Sequence, residues 1–345
     1  VLVGPTASGK TELLLRLFGA PERSASGVAG ADLSMAGSGP KPALPRAEII
    51  SADSMQVYRG MDIGTAKPGP AELAILPHHL LDLLEPSEQY SAGDFVGRAD
   101  AAAAGIAARG ALPVLSGGTG FYVKNFVFGL PAAPASTPEL RAAVARDLAE
   151  KGPGALRAEL AAGDPVSAAR IHEHDLYRLT RAVEILRATG RPLADFAAGG
   201  AARSCYDFLT VELTRPRAEL YARIDARVDL MFERGLESEV ARLRSAGCRA
   251  SDPGMKAIGY REFFALQAAE GQTSADGAGN PCAPSASSRS ALIAAIKQDS
   301  RRYAKRQETF FGSLPDLIKM EISGPDGIEK AAGELRSRLI QFMRD

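Results

Sequence analysis

Four short stretches, 48–52, 79–83, 112–116 and 208–213, are apolar without polar alternation. That pattern predicts strands of a parallel sheet buried on both faces. Between them the apolar period lengthens. Residues 90–109 read as a helix ending near Gly110. Strand and helix signals therefore alternate, which predicts an α/β core. From 138 to 189 the period is helical throughout, with Leu140, Val144 and Leu148, then Leu176, Leu179, Val183 and Leu186 on common faces, and no strand is evident. This segment reads as an all-helical insertion. Residues 217–246 form a long amphipathic pattern that Gly235 is placed to kink, and a last helix is expected over 288–310. The expected layout is a first part of the core over 1–130, the insertion over 131–200, and a return to the core over 201–345.

Two stretches lack this periodicity. Residues 21–46 and 271–290 are rich in Gly, Ala, Ser and Pro and are expected to be flexible inserts, because neither can bury enough apolar surface to offset the entropy of ordering.

The sequence has 345 residues, 46% of them apolar, enough for about two domains. Lys and Arg together number 41, as do Asp and Glu, so the net charge is zero and a polybasic binder is excluded. Nucleic-acid binding would need a local patch, and 297–306 is one, with five cations against Asp299. The longest apolar run, 101–108, is far short of the ~20 residues that span a bilayer. Cys205, Cys248 and Cys282 are too scattered for a disulfide framework or a zinc cluster, and their use fits a reducing compartment. The pair His172 and His174 lacks the further ligands a metal site needs, and His79 is expected to be structural.

The sharpest signal lies at the start. Gly4-Pro5-Thr6-Ala7-Ser8-Gly9-Lys10-Thr11 fits G-x-x-x-x-G-K-[ST], with an apolar strand before it and a helix start after it. Backbone N–H groups, the helix N-terminus and Lys10 would cradle an anion, and the Thr11 hydroxyl would hold Mg²⁺. A kinase usually adds an apolar strand ending in Asp. Here the 112–115 strand runs into Ser116-Gly117-Gly118-Thr119, and Asp82 has only a short apolar lead. The cradle is therefore open to a diphosphate that is not part of ATP. Asp53 directly follows the 48–52 strand, at the edge where open parallel sheets bind ligands, although Asp there also suits a helix cap.

The phosphate loop, Asp53–Gln56, Asp62–Pro68, Gly117–Tyr122, Tyr177–Arg181, Lys256–Arg261 and Arg302–Gln307 occur in that order over nearly the whole chain. Together they resemble the tRNA dimethylallyltransferase family. The two inserts, and Phe310 where an aromatic that is often Trp is usual, depart from the pattern. The resemblance implies a phosphate-loop α/β core that transfers a dimethylallyl group from its diphosphate to N6 of the adenosine 3′ of the anticodon, position 37. It implies Asp53 as general base, Thr119 as orienting hydroxyl and Lys10 on the diphosphate, with Gly4, Thr6, Ala7, Ser8, Gly9 and Thr11, and more weakly Arg223 and Arg301, around the same group. It implies tRNA contacts at Asp53, Ser54, Met55, Gln56 and Thr119, at Arg141, at Tyr177, Arg178, Leu179, Thr180 and Arg181, and at Lys256, Ala257, Ile258, Gly259, Tyr260 and Arg261. The expected partners are a tRNA anticodon loop and dimethylallyl diphosphate, with Mg²⁺, in a cytoplasmic monomer without a membrane segment. A transferase acting on free adenylate, a small-molecule kinase and a non-catalytic RNA binder are the alternatives. The helical insertion and basic segment count against the first, the missing strand-end Asp against the second, and intact Lys10, Thr11, Asp53 and Thr119 against the third.

Overall fold

The computed structural model describes residues 1–19, 44–196, 200–271 and 286–344. Most of the 21–46 and 271–290 stretches lies outside them. Of the part that is described, 44–46 leads into a strand and 286–290 begins a helix.

Six parallel strands form one sheet in the order β3-β2-β4-β1-β5-β6. They are β1 (Leu2–Val3), β2 (Ala47–Ser51), β3 (His78–His79), β4 (Leu112–Gly117), β5 (Val211–Thr214) and β6 (Ile318–Glu321). β3 is shorter than the apolar run 79–83 implies, because Leu80 and Asp82 take left-handed φ of 67° and 53° and turn the chain out of the sheet. β6, an edge strand with only Met320 buried, gives no uninterrupted apolar run to read.

Helices cover both faces. α1 (Lys10–Phe18) packs with α12 (Gly327–Phe342) through Leu13, Leu14, Leu17, Ile328, Ala331 and Leu335, over a core that includes Ile49, Val114 and Leu213. The short α2 (Pro70–Ile75) precedes β3. On the other side, α3 (Ala92–Ala108) starts at a capping box in which Ser91 and Asp94 exchange bonds, and it packs on β2 and β4. α4 (Gly120–Phe128) is anchored to it by Tyr122 stacked on Phe95 at 4.4 Å.

Residues 125–206 form a separate compact helical unit, while 1–124 and 207–345 form the other. In the helical unit, α5 (Pro138–Gly163) bends at Gly152, whose φ of 78° lies before Pro153, and α6 (Pro165–Arg170) and α7 (Leu176–Thr189) complete a core of Val144, Leu156, Leu160, Leu179 and Val183. Back in the first unit, the 217–246 pattern is two helices, α8 (Arg217–Glu233) and α9 (Leu236–Ser245), broken where Gly235 adopts φ 93°. α10 (Arg261–Gly271) and α11 (Ala286–Phe311) follow. α8 and α11 pack where Leu220, Ile224 and Ala304 meet beside Ala7.

Candidate active site

The sheet order places the site. From β1 the chain crosses toward β2, and from β4 it proceeds to β5 on the other side, so the crevice lies beyond the carboxyl ends of the adjacent β1 and β4. Three loops open there: Gly4–Gly9 after β1, Asp53–Gln56 after β2 and Gly118–Thr119 after β4. Close approach demands glycine. A Cβ on Gly117 would stand 2.2 Å from the Ala52 carbonyl oxygen, and one on Gly4, at φ 151°, would stand 2.6 Å from that of Leu213.

The first loop is cation-rich. Lys10 Nζ donates to the carbonyls of Gly4 and Pro5 at 2.8 and 2.9 Å. Arg215 Nε holds the Ser8 carbonyl at 2.8 Å, and Arg223 Nε holds that of Ala7 at 3.0 Å while its Nη2 reaches Glu12 at 3.3 Å. Burial, and then the neighbouring Arg227 guanidinium, push Lys10 down to about 7, against the opposing pull of Asp53. Clustered cations of this kind favour an anionic guest. Ser8 is fully buried and lines neither lobe of the cleft described below, unlike its neighbours Thr6, Ala7, Gly9, Lys10 and Thr11.

Gln307 ties the loops together. Its Oε1 accepts the Thr6 N–H at 2.8 Å and its Nε2 donates to the Gly118 carbonyl at 2.7 Å. Thr119 Oγ1 accepts the Ser54 N–H at 2.9 Å and donates to Ser54 Oγ at 3.2 Å. Asp53 Oδ1 accepts the Met55 N–H at 2.9 Å, which orients the carboxylate in an Asx turn.

The cleft has two lobes. A polar lobe of about 680 Å³ runs along the phosphate loop and includes Lys10, Thr11, Gln56, Arg223 and Gln307. A second lobe of about 280 Å³ is walled by Met55, Ile224, Val228, Met231, Ile258 and Ile296, with Lys256, Arg261 and Arg306 at its margins. Asp53, Thr6, Arg227 and Tyr303 line both. An anion seated in one lobe and a planar or apolar group in the other would meet beside a carboxylate.

Several residues expected at ligand surfaces are engaged otherwise. Gln56, which lines the polar lobe, accepts from Ser51 Oγ at 3.0 Å and donates to the Thr65 and Ala66 carbonyls at 3.3 and 3.4 Å, contacts that brace its loop. Arg301 pairs with Asp225 at 2.5 Å and Lys297 with Asp229 at 2.6 Å. This face of the basic stretch is therefore a ladder between α8 and α11, and Arg301 is not turned to the diphosphate cradle. Leu179 and Tyr260 are fully buried and line neither lobe, which removes their side chains from any RNA surface, whereas Ala257, nearly buried, lines the second lobe. The Tyr260 hydroxyl donates to Glu239 Oε1 at 2.6 Å. That buried carboxylate also accepts the N–H groups of Asp62, Ile63 and Gly64, at 2.9–3.2 Å. Arg261 pairs with Glu262 and Asp299, and Gly259 at φ 94° donates to Glu262.

In the helical unit, Arg141 binds the Ser136 carbonyl, and Arg181 binds the Pro134 carbonyl and Ser136 Oγ, so both fasten the entry segment of that unit. Thr180 donates to the Tyr177 carbonyl. Tyr177, 81% exposed, and Arg178 face solvent, as does Lys256 in the first unit. Asp82 and Asp62 both pair with Lys67, at 2.6 and 2.7 Å, so Asp82 is no strand-end metal ligand. Glu48, pulled down to about 2 by Arg109 and then His79, gives His79 the structural role expected of it. Arg227, Tyr303 and Gln307 escape a reading of the sequence as functional side chains. Arg227 had a signal, since it stands one helical turn from Arg223; the other two lay unassigned inside a recognised motif.

An α/β fold whose phosphate-loop motif and Asp53 line one two-lobed cleft defines the class: a phosphate-loop-like α/β protein. Residues 56–313 match the family described as IPP transferase. A tRNA dimethylallyltransferase of Roseiflexus sp. (strain RS-1) is 41% identical over 341 residues, 97% of this chain and 96% of that protein. One from Symbiobacterium thermophilum is 40% identical over 339 residues, with 97% and 92% covered. The crystal structure of a full-length tRNA isopentenylpyrophosphate transferase from Bacillus halodurans is 32% identical and superposes with a TM-score of 0.61, covering 99% of this chain and 97% of that one. A eukaryotic dimethylallyltransferase acting on tRNA, at 22% identity and TM-score 0.65, shares the fold. The chain belongs to the IPP transferase family.

Proposed function

We propose that this chain transfers a dimethylallyl group from dimethylallyl diphosphate to N6 of adenosine 37 in tRNA. The observation that carries the reading is the place of Asp53, which lines both the polar lobe along the phosphate loop and the lobe walled by apolar side chains. Membership of a family whose named relatives are tRNA dimethylallyltransferases supports it.

The residues divide the work. Lys10, the loop N–H groups, Arg223 and Arg227 bind the diphosphate and stabilise the charge it gathers on leaving. An exocyclic amine is a weak nucleophile because its lone pair is delocalised, and Asp53 accepts its proton as the amine attacks. Thr119, bonded to Ser54, fixes the loop that carries Asp53. A base must leave its stack to enter the second lobe, at a cost of a few kcal/mol that is lowest in a single-stranded loop. Tyr177, Arg178 and Lys256 are the exposed candidates for the RNA backbone and bases.

Mg²⁺ is proposed for the polar lobe. Thr11 borders that lobe, and its hydroxyl would be the ligand this chain supplies. Such a donor set suits an ion that takes most ligands from phosphate and water. When bound, it would neutralise charge on the diphosphate. A kinase reading is weaker because β4 ends in Ser116-Gly117 and Asp82 is engaged by Lys67. A free-adenylate acceptor would leave the helical unit without a task. An RNA substrate supports action in the cytoplasm, and no described helix is long and apolar enough to cross a membrane.

The test supplies labelled dimethylallyl diphosphate and Mg²⁺ with either tRNA or AMP. Label in tRNA alone is expected, and label in AMP alone would refute the acceptor. Asp53→Asn should cut single-turnover transfer by about 10²–10⁴-fold while tRNA affinity holds. A variant that turns over at the normal rate would remove Asp53 from the proton transfer.

A further inference from the structure

The transfer reaction proposed above needs something that the residues so far assigned do not provide. As the C1–O bond breaks, its electron pair leaves with the diphosphate. The N6 lone pair forms the new C1–N bond, and the N6 proton passes to the Asp53 carboxylate. Wherever bond breaking runs ahead of bond making, the allylic carbons share a positive charge. C1 must then stand where the two lobes join, since its leaving group lies in one and its nucleophile in the other.

Among the described residues only Thr6, Asp53, Arg227 and Tyr303 line both lobes. Arg227 is a cation and suits the leaving oxygens, not the carbon. The Thr6 N–H is committed to Gln307. Asp53 takes the proton. Tyr303 remains, and it is the single Phe, Tyr or Trp lining either lobe. We propose that the ring of Tyr303 is a further catalytic group, which stabilises the developing allylic cation through its electron-rich face.

Two features support this role. The ring already attracts a cation, because the Arg306 guanidinium lies 5.7 Å from its centroid, and a ring has a second face. Its hydroxyl also lies close enough to the Thr119 and Gln307 side chains for them to draw its pKa down against burial. Burial, and then the charge of Asp53, push that hydroxyl up to about 12, so it stays a neutral phenol. Neutrality matters, since a phenolate beside an allylic cation would itself be alkylated.

The experiment compares wild type with Tyr303→Phe, Tyr303→Leu and a series carrying mono-, di- and trifluorinated phenylalanine at 303. Single-turnover transfer to tRNA and the dissociation constant for dimethylallyl diphosphate are measured for each. Tyr303→Phe should slow transfer by no more than about threefold, and Tyr303→Leu by about 30-fold, the rate equivalent of a desolvated cation–π contact. Each added fluorine should lower the logarithm of the rate further while the dissociation constant holds, a trend that packing alone would not produce. A flat fluorine series, or Tyr303→Phe as slow as Tyr303→Leu, overturns the assignment of the ring while the transfer reaction stands. Wild-type protein that labels no tRNA overturns both.

Discussion

Lys10 donates to two carbonyls of its own loop and sits beside the buried guanidinium of Arg227. A diphosphate would replace the carbonyls as acceptor and compensate both cations. Lys10→Met should therefore weaken dimethylallyl diphosphate by about 30-fold, the loss of one charge-assisted bond, with tRNA affinity unchanged. Isothermal titration with each ligand separates the two, and unaltered diphosphate affinity would remove Lys10 from the cradle. Lys10 and Asp53 were legible in the sequence because loop chemistry constrains neighbours in the chain. Gln307 was not, since its partners lie more than 180 positions away and meet it only in the fold, and Tyr303 was not, since only the fold brings it to the junction of the lobes.

At the scale of elements, Glu48 joins three pieces of the first unit. From β2 it receives Arg109 Nη2 at 2.7 Å, just past the end of α3, and His79 Nε2 of β3 at 2.6 Å. These partners hold its carboxyl at about 2 in the folded protein, against an ordinary value of 4.5. A depressed carboxyl adds stability that is present above the unfolded value and lost as pH falls toward the folded one. Glu48→Gln should flatten the acid limb of the stability curve between about pH 4.5 and 2. Urea unfolding across that range checks it, and a wild-type slope in the variant would show that the carboxylate is not what titrates. Strands β2 and β4 could be read from their apolar runs. The shortness of β3 could not, because left-handed residues at Leu80 and Asp82 leave no mark on hydropathy.

For the whole molecule, the helical unit separates two kinds of arginine that the sequence treats alike. Arg178 is exposed and, among the described residues, its side chain makes just a surface pair to Asp175 at 3.3 Å, which a phosphate can replace at little cost. Arg181 fastens the Pro134–Ser136 segment. Arg178→Ala should lower tRNA affinity and reduce the salt slope by about one, with an unchanged melting temperature. Arg181→Ala should instead destabilise the protein by about 1–3 kcal/mol. Filter binding over a salt series, with thermal unfolding of the same samples, distinguishes them, and equal effects on both measurements would erase the distinction.

The amino-acid sequence alone determined the α/β class, the helical insertion, the phosphate loop and the carboxylate after β2, because each is written in a local period or in neighbouring residues. Which side chains face the cleft was decided by the tertiary structure. Arg301 and Lys297 turn to carboxylates of α8, Tyr260 to a buried glutamate and Leu179 into a core, while Arg227 and Tyr303 reach the junction of the lobes. A motif names the residue, but only packing sets the direction of its side chain.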